Sequence, residues 1–254
     1  METIGLIAAM PSESDALLRS IRRWKRTRLG PLQGARFHLS DQDCLLVTSG
    51  MGLARAAEAA RLLLAKSKPY LLVSFGIAGA VNPDLNIGDV VIAEKTCVLN
   101  KDTSEGFLPL AALSAAAWDS AAQALQPVGA RLVRGTAVTT RGSQVVSERL
   151  VALPNPILEM ETAGIAQVAA EARIPLLSIR SISDGPRAPI PFNLEGMLDD
   201  EYNFRLSKLL LLVLHRPGIM FEFLQMLQNS RKAAENAAQV LVAMLSQPAS
   251  IKFL

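Results

Sequence analysis

Residues 70–79, YLLVSFGIAG, decide the fold, because an apolar run that only Ser74 interrupts ends here in a glycine-rich turn. The run at residues 70–75 predicts a strand that is buried on both faces, which is typical of a parallel sheet. Similar apolar runs recur along the chain and alternate with segments of helical periodicity. The predicted strands are residues 3–9, 44–48, 70–75, 90–93, 131–139, 156–159 and 176–181, and the predicted helices are residues 12–24, 53–66, 110–125 and 162–172.

This alternation predicts a single α/β domain, residues 1–254, with a largely parallel central sheet and helices on both faces. Ser12 is the predicted N-cap of the first helix, and Asp15 completes a capping box with it. The proline-rich residues 186–191 predict a loop. After it we expect a helical C-terminal extension from about residue 190.

The composition excludes several classes of protein. Half of the 254 residues are hydrophobic, 5% are aromatic, and the formal net charge is +3. A chain this apolar can offset its ordering entropy, which excludes intrinsic disorder. Two cysteines, Cys44 and Cys97, are too few for a disulfide scaffold and suit a reducing compartment. Since the N-terminus also lacks a targeting pattern, we expect a cytoplasmic protein.

Neither nucleic acid nor a membrane is an expected partner. The basic run from Arg19 to Arg28 is interpreted as a solvated helix face, because no aromatic platform accompanies it. The apolar residues 209–214 fall far short of the roughly 20 that span a bilayer. The tail alone offers a route to membrane contact, although core or dimer packing is the simpler interpretation of its apolar helix face. That face comprises Leu210, Val213, Leu214, Phe221, Leu224 and Leu227.

Carboxylates and glycines follow the predicted strands, at the edge of the sheet where such folds bind ligands. The carboxylates are Glu13, Glu159, Glu161 and Asp184, and glycines occur in the turns at residues 49–52 and 76–79. Carboxylates that face one crevice suit proton transfer and hydroxyl binding. Alone, Glu13 is explained by the first turn of a helix and Asp184 by an ordinary turn. Their combination at successive strand ends indicates a functional site.

Other chemistries lack the residues that they need. The histidines His38 and His215 are far apart and near no cluster of Cys or Ser, which argues against a zinc site and a Ser-His-Asp triad. The P-loop pattern is absent, and the turn at residues 50–52 lacks the third glycine of a dinucleotide-binding fold. We therefore predict neither a metal nor a cofactor.

Several blocks of the sequence resemble a known family and occur in its order. They are IGLIAAMPSE at residues 4–13, SGMGLARA at 49–56, SFGIAGAV at 74–81, IGDVVIAE at 87–94, LEMETAGIAQVA at 158–169 and IRSISD at 179–184. Together they resemble the nucleoside phosphorylase/nucleosidase superfamily, and within it the methylthioadenosine/S-adenosylhomocysteine nucleosidases. The resemblance implies a single α/β domain with a central mixed sheet, cleavage of a nucleoside N-glycosidic bond, a small-molecule nucleoside substrate and a homodimer.

The resemblance also implies roles for six residues. Asp184 matches the residue that donates a proton to purine N7, and Glu13 matches the one that activates the attacking water. Glu161 matches the acceptor of the ribose 2′- and 3′-hydroxyl hydrogens. The remaining three match substrate contacts or their support: Met160 beside the sugar, Gly79 through its backbone, and Ser183 as the residue that orients Asp184.

Hydrolysis of a 5′-substituted adenine nucleoside is the predicted reaction. Related phosphorylases hold phosphate with Arg and Ser, whereas Ile77 is apolar and no arginine lies in the loop at Pro11. Three alternatives remain: a phosphorylase-type enzyme for a hydrophobic adenosyl compound such as adenosylhopane, a futalosine hydrolase, and a non-catalytic nucleoside-binding protein. Residues 141–144, RGSQ, lack the aromatic that stacks on adenine in the nucleosidases, and the tail resembles the hopanoid-associated branch.

Overall fold

A computed structural model describes residues 3–100, 103–140, 148–190, 219–246 and 251–252. The strands are β1 (Thr3–Ala8), β2 (Trp24–Leu29), β3 (Leu32–Leu39), β4 (Gln42–Thr48), β5 (Leu71–Ala80), β6 (Val90–Asn100), β7 (Thr103–Pro109), β8 (Ala112–Leu113), β9 (Leu132–Thr139), β10 (Pro156–Glu159), β11 (Leu176–Asp184) and β12 (Ile251–Lys252). The helices are α1 (Pro11–Ser20), α2 (Leu53–Ser67), α3 (Ala115–Leu125), α4 (Glu148–Val151), α5 (Thr162–Ala172) and α6 (Ile219–Leu245).

One mixed sheet organises the described chain. Its strand order is β10-β9-β6-β11-β5-β1-β4-β3-β2, and β7 pairs with β6 beside this path. The centre, β4-β1-β5-β11, is parallel. Antiparallel pairs join β6 to β11 and add the β2–β3 hairpin. The predicted single α/β domain with a central mixed sheet is therefore confirmed, and its parallel character is concentrated in the middle.

Helices cover both faces of the sheet. On one face α1, α3 and α6 pack through an apolar cluster that includes Leu17, Ala121 and Leu241. On the other face α2 and α5 pack through small side chains such as Ala59 and Ala166. These alanines let the helix backbones come close to the sheet. The carboxyl ends of β1, β5 and β11 remain between the two layers, where α1 and α5 begin.

The helix α6 is buried along only half of its length. Its inner face is in the core from Ala233 to Leu245, whereas no side chain at residues 220–232 is buried. Three members of the predicted apolar face lie in the exposed half: Phe221 (74% exposed), Leu224 (49%) and Leu227 (46%). They are not core residues of the described structure. Residues 210, 213 and 214 lie outside the described residues, and no helix in the described ranges is long and apolar enough to cross a membrane.

The basic run at residues 19–28 differs from its prediction. The first helix ends at Ser20, and residues 24–29 form strand β2, which pairs with β3 in a hairpin. The interpretation of the run as a helix face is therefore wrong, although most of these side chains are exposed as expected. Because β2 lies at the edge of the sheet, its charges hinder pairing with a strand of another molecule.

The glycine-rich residues 76–79 also differ from their prediction as a turn. Strand β5 continues through them to Ala80, because β11 supplies a parallel partner as far as Gly79 and β10 an antiparallel one. The glycines therefore form a strand surface with few side chains. The carboxylates of Glu13 and Asp184 approach this surface from neighbouring elements.

Candidate active site

Glu13 lies on the first turn of α1, with its carboxylate bound to backbone donors. Its Oε2 accepts hydrogen bonds from the N–H groups of Ala9 at 2.8 Å and Met10 at 2.9 Å. Its Oε1 accepts from the N–H of Ile77 at 2.9 Å, which ties α1 to β5. The carboxylate therefore caps a helix and also bridges the ends of two strands.

The helix α1 begins one residue earlier than predicted. Its N-cap is Met10, and Pro11 occupies the first turn, where the fixed φ of proline suits a helix and its missing N–H costs little. This shift makes Glu13, rather than Asp15, the residue whose side chain reaches back to the N-cap backbone. The predicted capping role of Ser12 is therefore wrong. The correct start explains why Glu13 points inward and is only 3% exposed.

The surroundings of Glu13 raise its proton affinity. Burial raises the pKa of Glu13, and the Arg180 guanidinium and the three backbone hydrogen bonds oppose that rise. Gly76 forms the wall beside the carboxylate, because a Cβ there would lie 2.2 Å from Oε1. A carboxylate with a raised pKa is a stronger base than an exposed glutamate.

Asp184 is the last residue of β11 and lies against the same stretch of β5. The β5–β11 register shifts between Ile182 and Asp184, which places Asp184 opposite Gly79. A Cβ on Gly79 would lie 2.8 Å from Oδ2 of Asp184, so the glycine leaves room for the acid. The hydroxyl of Ser183 donates to Oδ1 at 2.6 Å. Burial raises the pKa of Asp184, and the Ser183 hydrogen bond partly opposes it.

Glu161 occupies the N-cap position of α5 and is buried. Its Oε1 accepts from the N–H of Gly52 at 3.0 Å, which connects the predicted glycine turn after β4 to the site. Burial, and secondly the neighbouring carboxylate of Glu159, raise the pKa of Glu161 to about 7. Met160, the residue before it, is half-buried between the end of β10 and α5.

Glu159 has a structural role instead. Its Oε2 accepts from the N–H groups of Glu161 at 3.0 Å and Thr162 at 2.7 Å, so it caps the start of α5. Thr139 donates its hydroxyl hydrogen to the other oxygen. Glu159 is therefore a buried cap of α5 and not a surface acid.

Arg180 is a buried charged residue of the candidate site that sequence reasoning missed. It is 2% exposed, and its Nη2 lies 2.7 Å from Oγ of Ser74, 3.2 Å from Oε2 of Glu159 and 3.9 Å from Oε2 of Glu161. Its buried Nε has no hydrogen-bond partner within the described ranges. One guanidinium thus faces two buried carboxylates. A lone arginine in the apolar strand sequence LLSIRSISD was the signal that could have revealed it.

Five of the six predicted site residues are part of β5 or are connected to it, directly or through Arg180, and the sixth, Met160, adjoins Glu161. Glu13 contacts β5 at Ile77, and Asp184 pairs with β5 two residues later, at Gly79. Glu161 is linked to the same strand through Arg180 and Ser74. Two carboxyl groups of raised pKa on one edge can divide the work of an acid and a base.

Two further expectations concern this region. Residues 141–144, where the stacking aromatic is missing, lie outside the described residues. Across the described ranges, no group of three or more His, Cys, Asp or Glu residues is arranged to hold a metal ion.

A groove of about 640 Å³ lies between α1 and the β2–β3 hairpin, and none of the six site residues lines it.

Comparison with known proteins gives one consistent family. Residues 3–215 match the sequence model of the phosphorylase superfamily. The 5′-methylthioadenosine/S-adenosylhomocysteine nucleosidase of Marinomonas sp. (strain MWYL1) is 31% identical over 216 residues, which cover 76% of this chain and 90% of that protein.

Solved structures share the fold at lower identity. The Neisseria meningitidis 5′-methylthioadenosine/S-adenosylhomocysteine nucleosidase, in complex with methylthio-immucillin-A, superposes with a TM-score of 0.68 at 20% identity, covering 97% of this chain and 99% of that one. The futalosine hydrolase of Helicobacter pylori strain 26695 superposes with a TM-score of 0.66 at 18% identity, covering 95% and 96%.

Proposed function

The chain belongs to the phosphorylase superfamily, and from that premise we propose that it hydrolyses the N-glycosidic bond of a 5′-substituted adenine nucleoside and releases adenine. Relatives named as 5′-methylthioadenosine/S-adenosylhomocysteine nucleosidases match about three quarters of the chain. The observation that carries the proposal is the approach of Glu13 and Asp184 to β5 two residues apart, each with a raised pKa. An acid and a base at one edge are what glycosidic hydrolysis requires.

Asp184 is the proposed acid. Cleavage of the bond between ribose and adenine leaves positive charge on the sugar, and the base departs more easily when N7 is protonated. A carboxyl group with a raised pKa keeps its proton closer to neutral pH, and Ser183 fixes its orientation. The glycine at position 79 lets the nucleoside come close to this acid.

Glu13 is the proposed base that activates the attacking water. Its carboxylate is held rigidly by three backbone N–H groups, so it can keep one orientation toward C1′ of the sugar. Glu161 is proposed to accept hydrogen bonds from the ribose 2′- and 3′-hydroxyls, with Met160 packed beside the sugar. Arg180 contacts the carboxylates of Glu159 and Glu161 and balances part of their charge.

Water rather than phosphate is the proposed acceptor of the sugar. Backbone N–H groups at this edge could donate hydrogen bonds to an anion such as phosphate. Those of Ala9, Met10 and Ile77, however, already donate to the Glu13 carboxylate. The Ser74 hydroxyl is engaged by Arg180 in the buried interior. A phosphate at this edge would meet a carboxylate instead of free donors.

The first experiment is base release with and without inorganic phosphate. We expect adenine to be released from methylthioadenosine or S-adenosylhomocysteine at the same rate in both buffers, with free sugar as the second product. The same panel includes inosine, futalosine and an adenosine with a lipid 5′-substituent, because a futalosine hydrolase and an enzyme for a hydrophobic adenosyl compound are the alternatives. Strict phosphate dependence contradicts hydrolysis, and binding without cleavage of any member indicates a non-catalytic protein.

Replacing Glu161 by glutamine tests ribose recognition. Because burial and Glu159 raise the pKa of Glu161 to about 7, its ionised fraction grows as the pH rises through neutrality. We expect wild-type affinity for a non-cleavable C-nucleoside analogue to increase over that range, since a carboxylate accepts both hydroxyl hydrogens. Glu161→Gln should bind the analogue about tenfold more weakly and without this pH dependence, as loss of a charge-assisted hydrogen bond implies.

The matched control for Glu161→Gln is a 2′,3′-dideoxy analogue of the same nucleoside. Wild type and variant should bind it equally, because the hydroxyls that Glu161 contacts are gone. A tenfold difference on the dideoxy analogue as well would assign the loss to general damage and contradict the role of Glu161.

A homodimer in the cytoplasm completes the proposal. Cys44 and Cys97 are the two cysteines of the sequence and both are buried, and so low a cysteine content fits a reducing compartment. Sedimentation equilibrium is expected to give twice the chain mass of 27.3 kDa. A monomer at micromolar concentration would contradict the dimer.

A further inference from the structure

Two backbone hydrogen bonds hold β11 immediately before its catalytic end. The N–H of Gly88 donates to the carbonyl of Ile182 at 2.8 Å, and the N–H of Ile182 donates to the carbonyl of Asp89 at 2.9 Å. We call this pair of bonds the Ile182 clamp. The register shift that aims Asp184 at Gly79 begins at Ile182, so the clamp fixes the last regular residue before the acid.

The loop that provides the clamp, residues 86–89 before β6, is itself fixed on one side by Asp89. This carboxylate is 2% exposed and accepts hydrogen bonds from the N–H of Asn86 at 3.0 Å and the N–H of Arg131 at 2.9 Å. The Arg131 guanidinium also contacts it at 2.6 Å. Asp89 therefore anchors the loop to the start of β9.

The other side of the loop is held by Asn236 of α6. Its Nδ2 donates to the carbonyl of Gly88 at 2.8 Å, 148 residues away in sequence. Gly88 has φ of +95°, and a Cβ there would lie 2.9 Å from this Nδ2, so the contact requires glycine. Asn236 is 1% exposed on a face whose neighbours Ala233, Ala237 and Val240 are fully buried.

Burial of an amide on this face needs an explanation. A polar side chain in an apolar layer costs free energy unless it is hydrogen-bonded, and an apolar residue would pack there without that cost. The Gly88 carbonyl is the partner that Asn236 satisfies. The amide therefore couples α6 to the loop that clamps β11.

We propose that Asn236 is a positioning residue for Asp184, acting through Gly88 and the Ile182 clamp. The inference rests on the proposed function, in which Asp184 protonates the leaving base. Without the Asn236 amide, the Gly88 carbonyl loses its partner and the loop can retreat from Ile182. The end of β11 then gains freedom at a point where a shift of about 1 Å exceeds the range of roughly 0.5 Å that hydrogen-bond distances span.

The test uses Asn236→Ala, the similarly branched but apolar Asn236→Leu, and Val240→Ala as control. Val240 lies one turn further along the same buried face of α6 and is equally inaccessible, so its truncation loosens the helix without touching Gly88. We expect both Asn236 variants to lose about tenfold in kcat per folded molecule with KM nearly unchanged. The basic limb of their kcat profiles should move to lower pH, because water admitted to Asp184 lowers the pKa of this acid toward its ordinary value.

Hydrogen exchange at the Ile182 amide provides a readout that needs no substrate. Under native conditions, exchange should be faster in both Asn236 variants than in Val240→Ala at matched stability. Wild-type kcat and pH profile in a folded Asn236 variant, or equal losses in Val240→Ala, would overturn the proposal. If the wild type cleaves no nucleoside, the proposed function fails, and unchanged Ile182 exchange would separately refute the clamp.

Discussion

Asp184→Asn is expected to lower the rate of adenine release about a thousandfold while the fold is kept, because general acid catalysis contributes on the order of 10²- to 10⁴-fold. The amide has nearly the same shape and still accepts the Ser183 hydrogen bond at its oxygen. It cannot deliver a proton to N7. The measurement is single-turnover base release from methylthioadenosine, normalised to folded protein.

A nucleoside already methylated at N7 is the matched control substrate. Its base leaves without a proton, so the acid has nothing to supply. We expect Asp184→Asn to lose far less on this substrate than on the unmethylated one. Equal losses on the two would mean that Asp184 holds the base in place and does not protonate it.

The pH dependence of the wild type follows from the same two carboxyl groups. Glu13 must be ionised to act as a base, so its raised pKa places the acidic limb of the rate profile above the ordinary range of glutamate. Asp184 must be protonated, so its raised pKa moves the basic limb to higher pH than an exposed aspartate would give. The residual rate of Asp184→Asn should lack the basic limb.

The positions of the candidate site carboxylates were predictable because they depend on local pattern. Apolar runs locate the strands, and in a parallel sheet the carboxyl ends of neighbouring strands lie at one edge. Glu13, Glu161 and Asp184 each follow such a run, so sequence alone groups them. The sequence block around each carries the family resemblance that suggests its role.

What could not be predicted depends on contacts between distant segments. The buried charge of Arg180 is stable only because Ser74 and Glu159 meet it, and they lie 106 and 21 residues away. Strand periodicity assigns that position to the core and says nothing about its partners. Similarly, Asn236 finds the Gly88 carbonyl only after α6 has packed on the sheet.

The β2–β3 hairpin was missed for a different reason. Its strand β2 faces solvent at the edge of the sheet, so residues 24–28, WKRTR, carry no alternation of burial that would distinguish a strand from a helix. Pairing with β3 decides the matter, and Gly30, with φ of +56°, allows the connecting turn. The Gly30-Pro31 pair is a sequence signal for this turn, but the run of charges before it favoured a helix more strongly.

Glu13→Gln is the second large expected effect and also separates structure from catalysis at one residue. The glutamine amide can present its oxygen to only part of the three N–H donors that the carboxylate binds, so its NH₂ group must face the N–H of Ile77 or those of Ala9 and Met10. An unsatisfied buried donor costs about 1–3 kcal/mol of the free energy of unfolding. We therefore expect a lower melting temperature together with a loss in base release of about a thousandfold.

The two effects of Glu13→Gln are distinguished by adenine binding and by pH. Calorimetry should show adenine bound by the folded variant as well as by the wild type, because the proposed contact of adenine is with Asp184 and not with Glu13. The residual rate should lose its acidic limb, since no ionisable base remains at this position, and should keep the basic limb of Asp184. An acidic limb that persists unchanged in Glu13→Gln would mean that another carboxylate at this edge activates the water. Glu161 would then be the first candidate.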